Sequence, residues 1–166
     1  MTKALNIAII TVSDTRDESN DTSGLYLAKA VDAAGHTIAD KQIVKDDIYQ
    51  LRAIVSKYIA DDTVHVIIST GGTGFMSRDS TPEAITPLFD KKVDGFGELF
   101  RQISYDEIGT STIQSRVFAG LANQTLIFCL PGSTSACQTG WSIIQPQLDA
   151  NNKPCNFVTM LSAKKS

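Results

Sequence analysis

Cysteine and histidine are scarce in this sequence, and neither is arranged for metal or disulfide chemistry. Among 166 residues there are 3 cysteines (Cys129, Cys137 and Cys155) and 2 histidines. The cysteine count is odd and no CxxC pair occurs, so reduced thiols are expected rather than a disulfide framework. Cysteine and histidine do not cluster at zinc-ligand spacing. His36 and His65 have no nucleophile or ligand set beside them, and no catalysis is assigned to either. Positive charge is not in excess: 15 Lys and Arg stand against 18 Asp and Glu, net −3, which argues against a nucleic-acid partner. No apolar run reaches the roughly 18 residues of a membrane span. Met1–Ile10 lacks a small-residue cleavage site and reads as the approach to a first strand, not a signal peptide. A cytoplasmic protein without a membrane partner is expected. Repeats, low-complexity tracts and linkers are absent, so one domain over 1–166 is expected, with its core over about 5–148 and a tail from 149 to 166.

What is present alternates between two periods. LNIAIITV (Leu5–Val12), Thr37–Val44, Val64–Ser69 and TLIFCL (Thr125–Leu130) read as strands, three of them almost wholly apolar. Between them, Leu27, Ala30, Val31 and Ala34 fall at helical spacing, as do Ile48, Leu51, Val55 and Ile59. Further helices are expected from Pro82, over Gly97–Ser104 and over Thr134 to about Leu148, limited by Pro146. Asp21–Ser23 and Asp46–Asp47 offer N-cap chemistry, and Phe157 and Met160 are docking points for the tail. This pattern predicts an α/β fold with three α/β/α layers and a mostly parallel sheet.

Ligands of open α/β sheets bind beyond the carboxyl ends of the strands. Thr11-Val12-Ser13-Asp14, Thr70-Gly71-Gly72-Thr73-Gly74 and Pro131-Gly132-Ser133-Thr134 all lie there. The glycine-rich turn suits an anion nest of backbone N–H groups; a tight turn without ligand is the alternative. It is neither a Walker A loop nor GxGxxG, which disfavours a P-loop kinase or a Rossmann dehydrogenase. Asp79 follows it in Ser77-Arg78-Asp79-Ser80-Thr81-Pro82. A carboxylate beside phosphates needs an intervening cation, so Asp79 is a candidate Mg²⁺ ligand and Arg78 a candidate phosphate partner. Capping of the helix near Pro82 by Asp79 or Ser80 is the competing role, and Asp46 has a similar ambiguity. Glu98 and Arg101 stand three apart, the spacing of an exposed helical pair.

The motifs TVSD (Thr11–Asp14), DTSG (Asp21–Gly24), STGGTG (Ser69–Gly74), SRDSTPEA (Ser77–Ala84), GFGELFR (Gly95–Arg101), SR (Ser115–Arg116) and LPGST (Leu130–Thr134) occur in this order over nearly the whole chain. Together they resemble the MoaB/Mog family of molybdenum cofactor biosynthesis proteins, whose fold is also that of the gephyrin G domain. DEIGTSTIQSR, PQLDA and PCNF resemble the MoaB branch in particular. The resemblance implies a molybdopterin-binding protein, trimeric or hexameric, that works beside other proteins of the pathway. It implies adenylylation of molybdopterin with ATP and Mg²⁺ and release of pyrophosphate; the alternative is a non-catalytic molybdopterin carrier. By motif, Asp79 and Asp46 match a catalytic, metal-associated pair. Gly71, Gly72, Thr73 and their neighbours Thr70 and Gly74 match the phosphate-binding turn. Thr11, Ser13, Asp14, Ser133 and Thr134 match residues around the pterin and its phosphate, with Pro131, Gly132, Arg78, Ser80 and Glu98 in adjoining motif positions. Ser135 departs from the family, which often has Lys there, and that favours the carrier; the intact SRDSTPEA favours the enzyme.

Overall fold

The structure, a computed structural model, describes residues 3–162. Its frame follows from strands too apolar to face water. β1 (Asn6–Val12), β3 (Val66–Thr70) and β6 (Thr125–Leu130) are buried almost throughout, and β2 (Thr37–Val44) flanks them on the outside. Side chains alternate between faces along a strand. Ile7, Ile9, Val66, Ile68, Leu126 and Phe128 therefore enter one core, while Ala8, Ile10, Ile67, Ile127 and Cys129 enter a second on the opposite face. Helices α1 (Thr22–Ala33), α4 (Asp94–Ile108) and α5 (Thr134–Gln147) supply residues to the first core. α2 (Ile48–Ala60) and α3 (Thr81–Ile85) cover the second. The result is three α/β/α layers around a six-stranded sheet of order β2-β1-β3-β6-β5-β4.

β2, β1, β3 and β6 pair in parallel. β4 (Lys91–Lys92) and β5 (Phe118–Ala122) extend the sheet antiparallel. The chain moves outward from β1 to β2 and returns across β1 to β3. That reversal makes the carboxyl ends of β1 and β3 a topological switch point, where a crevice opens.

Several elements differ from expectation. β5 and β6 form a hairpin through Asn123 and Gln124, both at positive φ (46° and 58°), the geometry of a type I′ turn without its usual glycine. α4 is longer than Gly97–Ser104 suggests, because Phe96 and Phe100 anchor it in the core through two glycines that obscure the helical pattern. The expected helix at Pro82 is a five-residue α3 that passes into a 3₁₀ turn, Thr86–Leu88. The tail docks as expected, with Phe157 and Met160 packed against the first core, and in addition forms α6 (Val158–Ser162), which buries Val158 and Leu161. Asp21 caps α1 by accepting from Gly24 N, and Asp47 rather than Asp46 caps α2, accepting from Tyr49 N and Gln50 N. Among the described residues, no helix is long and apolar enough to cross a membrane.

Phe128 packs edge-on to Phe96, ring centroids 4.9 Å apart, at the centre of the first core. Phe128→Ala should cost about 3–5 kcal/mol in urea denaturation. Phe75→Ala, at a side chain 69% exposed whose ring centroid lies 5.1 Å from the Arg116 guanidinium, should cost no more than about 1 kcal/mol.

Candidate functional site

At the switch point β3 runs into Thr70-Gly71-Gly72-Thr73-Gly74. Gly71 and Gly72 take positive φ, 106° and 68°. A Cβ on Gly71 would stand 2.2 Å from the Val12 carbonyl oxygen; one on Gly72 would stand 2.3 Å from Thr81 Oγ1 and 2.6 Å from Asp46 Oδ2. The turn is held from three sides. Gly71 N donates to Leu130 O, Thr70 Oγ1 to Pro131 O and Thr81 Oγ1 to Gly71 O, at 2.8–2.9 Å. Among the described residues the amides of Gly72, Thr73 and Gly74 have no protein acceptor. All three residues line a cleft of about 520 Å³ whose other walls include Val12, Ser13, Arg16, Phe100, Pro131, Gly132 and Ser133.

Two carboxylates stand against this turn. Asp46 Oδ1 accepts from Ser80 N (3.0 Å) and Ser80 Oγ (2.5 Å), which leaves Oδ2 facing Gly72. Asp79 Oδ2 accepts from Met76 N at 2.8 Å and would lie 2.6 Å from a Cβ at Gly74. Neither forms a salt bridge within the described residues. Burial raises the Asp46 pKa above the ordinary carboxylate value; the Ser80 bonds oppose that, and the nearby charges of Asp79 and Asp14 reinforce it. Asp14, by contrast, is held low by the Arg78 guanidinium, which pairs with both its oxygens at 2.8 and 3.0 Å. No group of three or more His, Cys, Asp or Glu side chains among the described residues could hold a metal. Two carboxylates are nonetheless the donor set magnesium takes when phosphate oxygens and water complete its shell.

The remaining expected residues divide. Gly132 and Ser133 reach the cleft together with Ser13. Thr11 is buried and donates to Asp21 Oδ2, and Thr134 Oγ1 donates to Thr22 Oγ1, so both brace the site from behind. Ser80 serves Asp46 rather than capping α3. Arg78 is committed to Asp14. Glu98 is exposed on α4 and is not among the side chains lining the cleft; its spacing partner Arg101 instead donates to the carbonyls of Ser115 and Val117. Burial pushes the Cys129 thiol up to about 12 and raises Cys137 as well, so neither is a ready thiolate.

Arg116 carries no local signal of its role, because it works on backbone atoms distant in sequence. Its Nε donates to Gly74 O (2.9 Å), Nη2 to Asp79 O (3.1 Å), and Nη1 pairs with Glu83. Its own amide donates to Thr73 O. One side chain thus fixes both ends of the segment that carries Asp79. Thr81 was equally hidden, since only the folded turn brings Gly71 O to its hydroxyl.

Because Asp46 has a raised pKa when folded, its ionisation opposes folding. The penalty is absent below the ordinary value of 3.8 and grows as pH rises through the folded-state pKa. Asp46→Asn keeps an acceptor for Ser80. Urea denaturation should find it as stable as the wild type or more stable at pH 7, with any advantage vanishing as pH falls toward 3.8. A large loss at pH 7 would make Asp46 a structural residue.

The sequence profile of the family described as "Probable molybdopterin binding domain" matches residues 8–150. Molybdenum cofactor biosynthesis protein B of Escherichia coli (strain K12) is 59% identical over 152 residues, 91% of this chain and 89% of that protein. A crystal structure of a molybdenum cofactor biosynthesis protein B superposes with a TM-score of 0.86 at 40% identity, covering 89% of this chain and 93% of the other. The tungsten cofactor synthesizing protein MoaB from Pyrococcus furiosus gives 0.80 at 35% identity, covering 88% and 93%. The chain belongs to the MoaB/Mog family of molybdenum cofactor biosynthesis proteins.

Proposed function

We propose that this protein binds molybdopterin in the cleft at the β1–β3 switch point and adenylylates it with Mg-ATP. In that reaction a phosphate oxygen of the pterin attacks the α-phosphorus of ATP. The bond to the β-phosphate oxygen breaks, pyrophosphate leaves and a phosphoanhydride forms. No protein nucleophile is needed: positioning and charge neutralisation supply the rate. The observation that carries the reading is the pairing of three unclaimed amides, at Gly72, Thr73 and Gly74, with two unpaired carboxylates, Asp46 and Asp79. The amides suit phosphate oxygens. Asp46 and Asp79 are the residues that would hold a magnesium ion, which when bound offsets phosphate charge. Arg116 keeps the Asp79 segment in place through Gly74 O and Asp79 O, and Ser80 orients Asp46.

Purified protein given molybdopterin, ATP and Mg²⁺ should release pyrophosphate and form adenylylated pterin. Asp79→Asn preserves an acceptor for Met76 N and should lower the rate by at least about a hundredfold while leaving the melting temperature and pterin binding near wild type. Full activity in that variant would end the mechanism. Binding without any turnover in the wild type would leave a carrier.

A trimer or hexamer belongs to the same proposal. An apolar groove of about 410 Å³, lined by Val93, Phe96, Leu99, Ile103, Ile143 and Phe157, is the kind of surface that a second copy covers. Light scattering at micromolar concentration should give three or six chains; a monomer would refute it.

A further inference from the structure

Among the described residues two charged side chains line the cleft, Asp79 and Arg16. Asp79 precedes α3, on the side of Asp46. Arg16 lies on the β1–α1 loop, which is tied to the start of α5. Its Nη1 donates to Asn20 O and Thr22 Oγ1, both at 3.2 Å. Thr22 Oγ1 in turn accepts from Thr134 Oγ1 at 3.1 Å, and Ser23 Oγ donates to Gly132 O at 3.0 Å. These bonds tie the arginine to the first turn of α5. The loop that presents it is folded around Ser13, whose Oγ accepts from the amides of Thr15 and Arg16 at 3.2 and 3.1 Å.

Arg16 is surrounded in sequence by Asp14, Asp17 and Glu18 but forms a salt bridge with none of them. Asp14 is taken by Arg78, Glu18 by Lys41, and Asp17 by the amide and hydroxyl of Ser19. Of the five donors of a guanidinium, those on Nε and Nη2 have no protein acceptor among the described residues. Next to it, the amides of Thr134 and Ser135 at the start of α5 also have no acceptor among the described residues, and Ser133 lines the cleft. A half-buried, pre-positioned cation with a free planar fork matches a phosphate dianion in charge and shape.

We propose that Arg16 binds the terminal monophosphate of the pterin. The proposal rests on the reading given under Proposed function and deepens it: recognition of the pterin is recognition of its phosphate.

The test compares wild type, Arg16→Ala and Arg16→Lys, as full chains, by anaerobic equilibrium dialysis with molybdopterin and with molybdopterin dephosphorylated enzymatically. The KM for Mg-ATP is measured alongside. Arg16→Ala should weaken molybdopterin binding about ten- to a hundredfold, and Arg16→Lys, which keeps charge but loses the fork, should lie between. Binding of the dephosphorylated pterin and the KM for Mg-ATP should change less than twofold. Equal loss for both pterins would show that Arg16 only holds the loop and would overturn the assignment, as would a loss confined to ATP. Wild-type affinity in Arg16→Ala would overturn it while leaving the proposed function standing. Failure of the wild type itself to bind molybdopterin would instead remove that function and this assignment with it.

Discussion

The cleft depends on one close approach, that of the Gly71–Gly72 backbone to the end of β1 and to Asp46. The Val12 carbonyl occupies the space a Cβ on Gly71 would need, and Asp46 and Thr81 occupy the space beside Gly72. With both residues at positive φ the chain turns away from the sheet, and the amides that follow it leave the β-ladder without a partner. Glycine alone tolerates this conformation and this proximity together. The parallel sheet contributes the rest: β1, β3 and β6 end side by side, so Ser13, the glycine-rich turn and Pro131-Gly132-Ser133 meet at one place.

Charge at that place is deliberately uneven. Asp14 and Arg78 neutralise each other, and Lys41 serves Glu18 and buried Asp21. Among the described residues Asp46 and Asp79 form no salt bridge with a basic side chain, and Arg16 none with an acidic one. Burial raises the pKa of Asp46, so its charged form costs stability, as residues placed for function rather than for folding often do. Arg116 and Ser80 are the structural complement, holding the unpaired groups in position through hydrogen bonds that do not cancel their charge.

Much of this was legible in the sequence, and for identifiable reasons. β1, β3 and β6 are buried on both faces, so they read as apolar runs; Thr37–Val44 was equally clear between a helix end and a cap. The motifs named the turn, Asp46, Asp79 and the Pro131–Thr134 segment. The antiparallel edge was not legible. β4 is a pair of lysines and β5 reads FAGLA, so neither has a periodic signal, and their pairing is set by β6. Arg16, Thr81 and Arg116 were hidden for a related reason: each acts through backbone carbonyls or an empty space that exists only after folding. Glu98 is exposed on α4 and is not among the side chains lining the cleft, so its motif position does not by itself place it there.

In the proposed function, Asp46 and Asp79 would make nucleotide binding conditional on a divalent cation. Calorimetric titration of ATP with Mg²⁺, and again with EDTA, tests it without requiring turnover. The wild type should lose at least about tenfold in affinity when the metal is removed, and the Asp46→Asn/Asp79→Asn double variant should lose that dependence. Equal affinity of the wild type for ATP with and without Mg²⁺ would contradict the account.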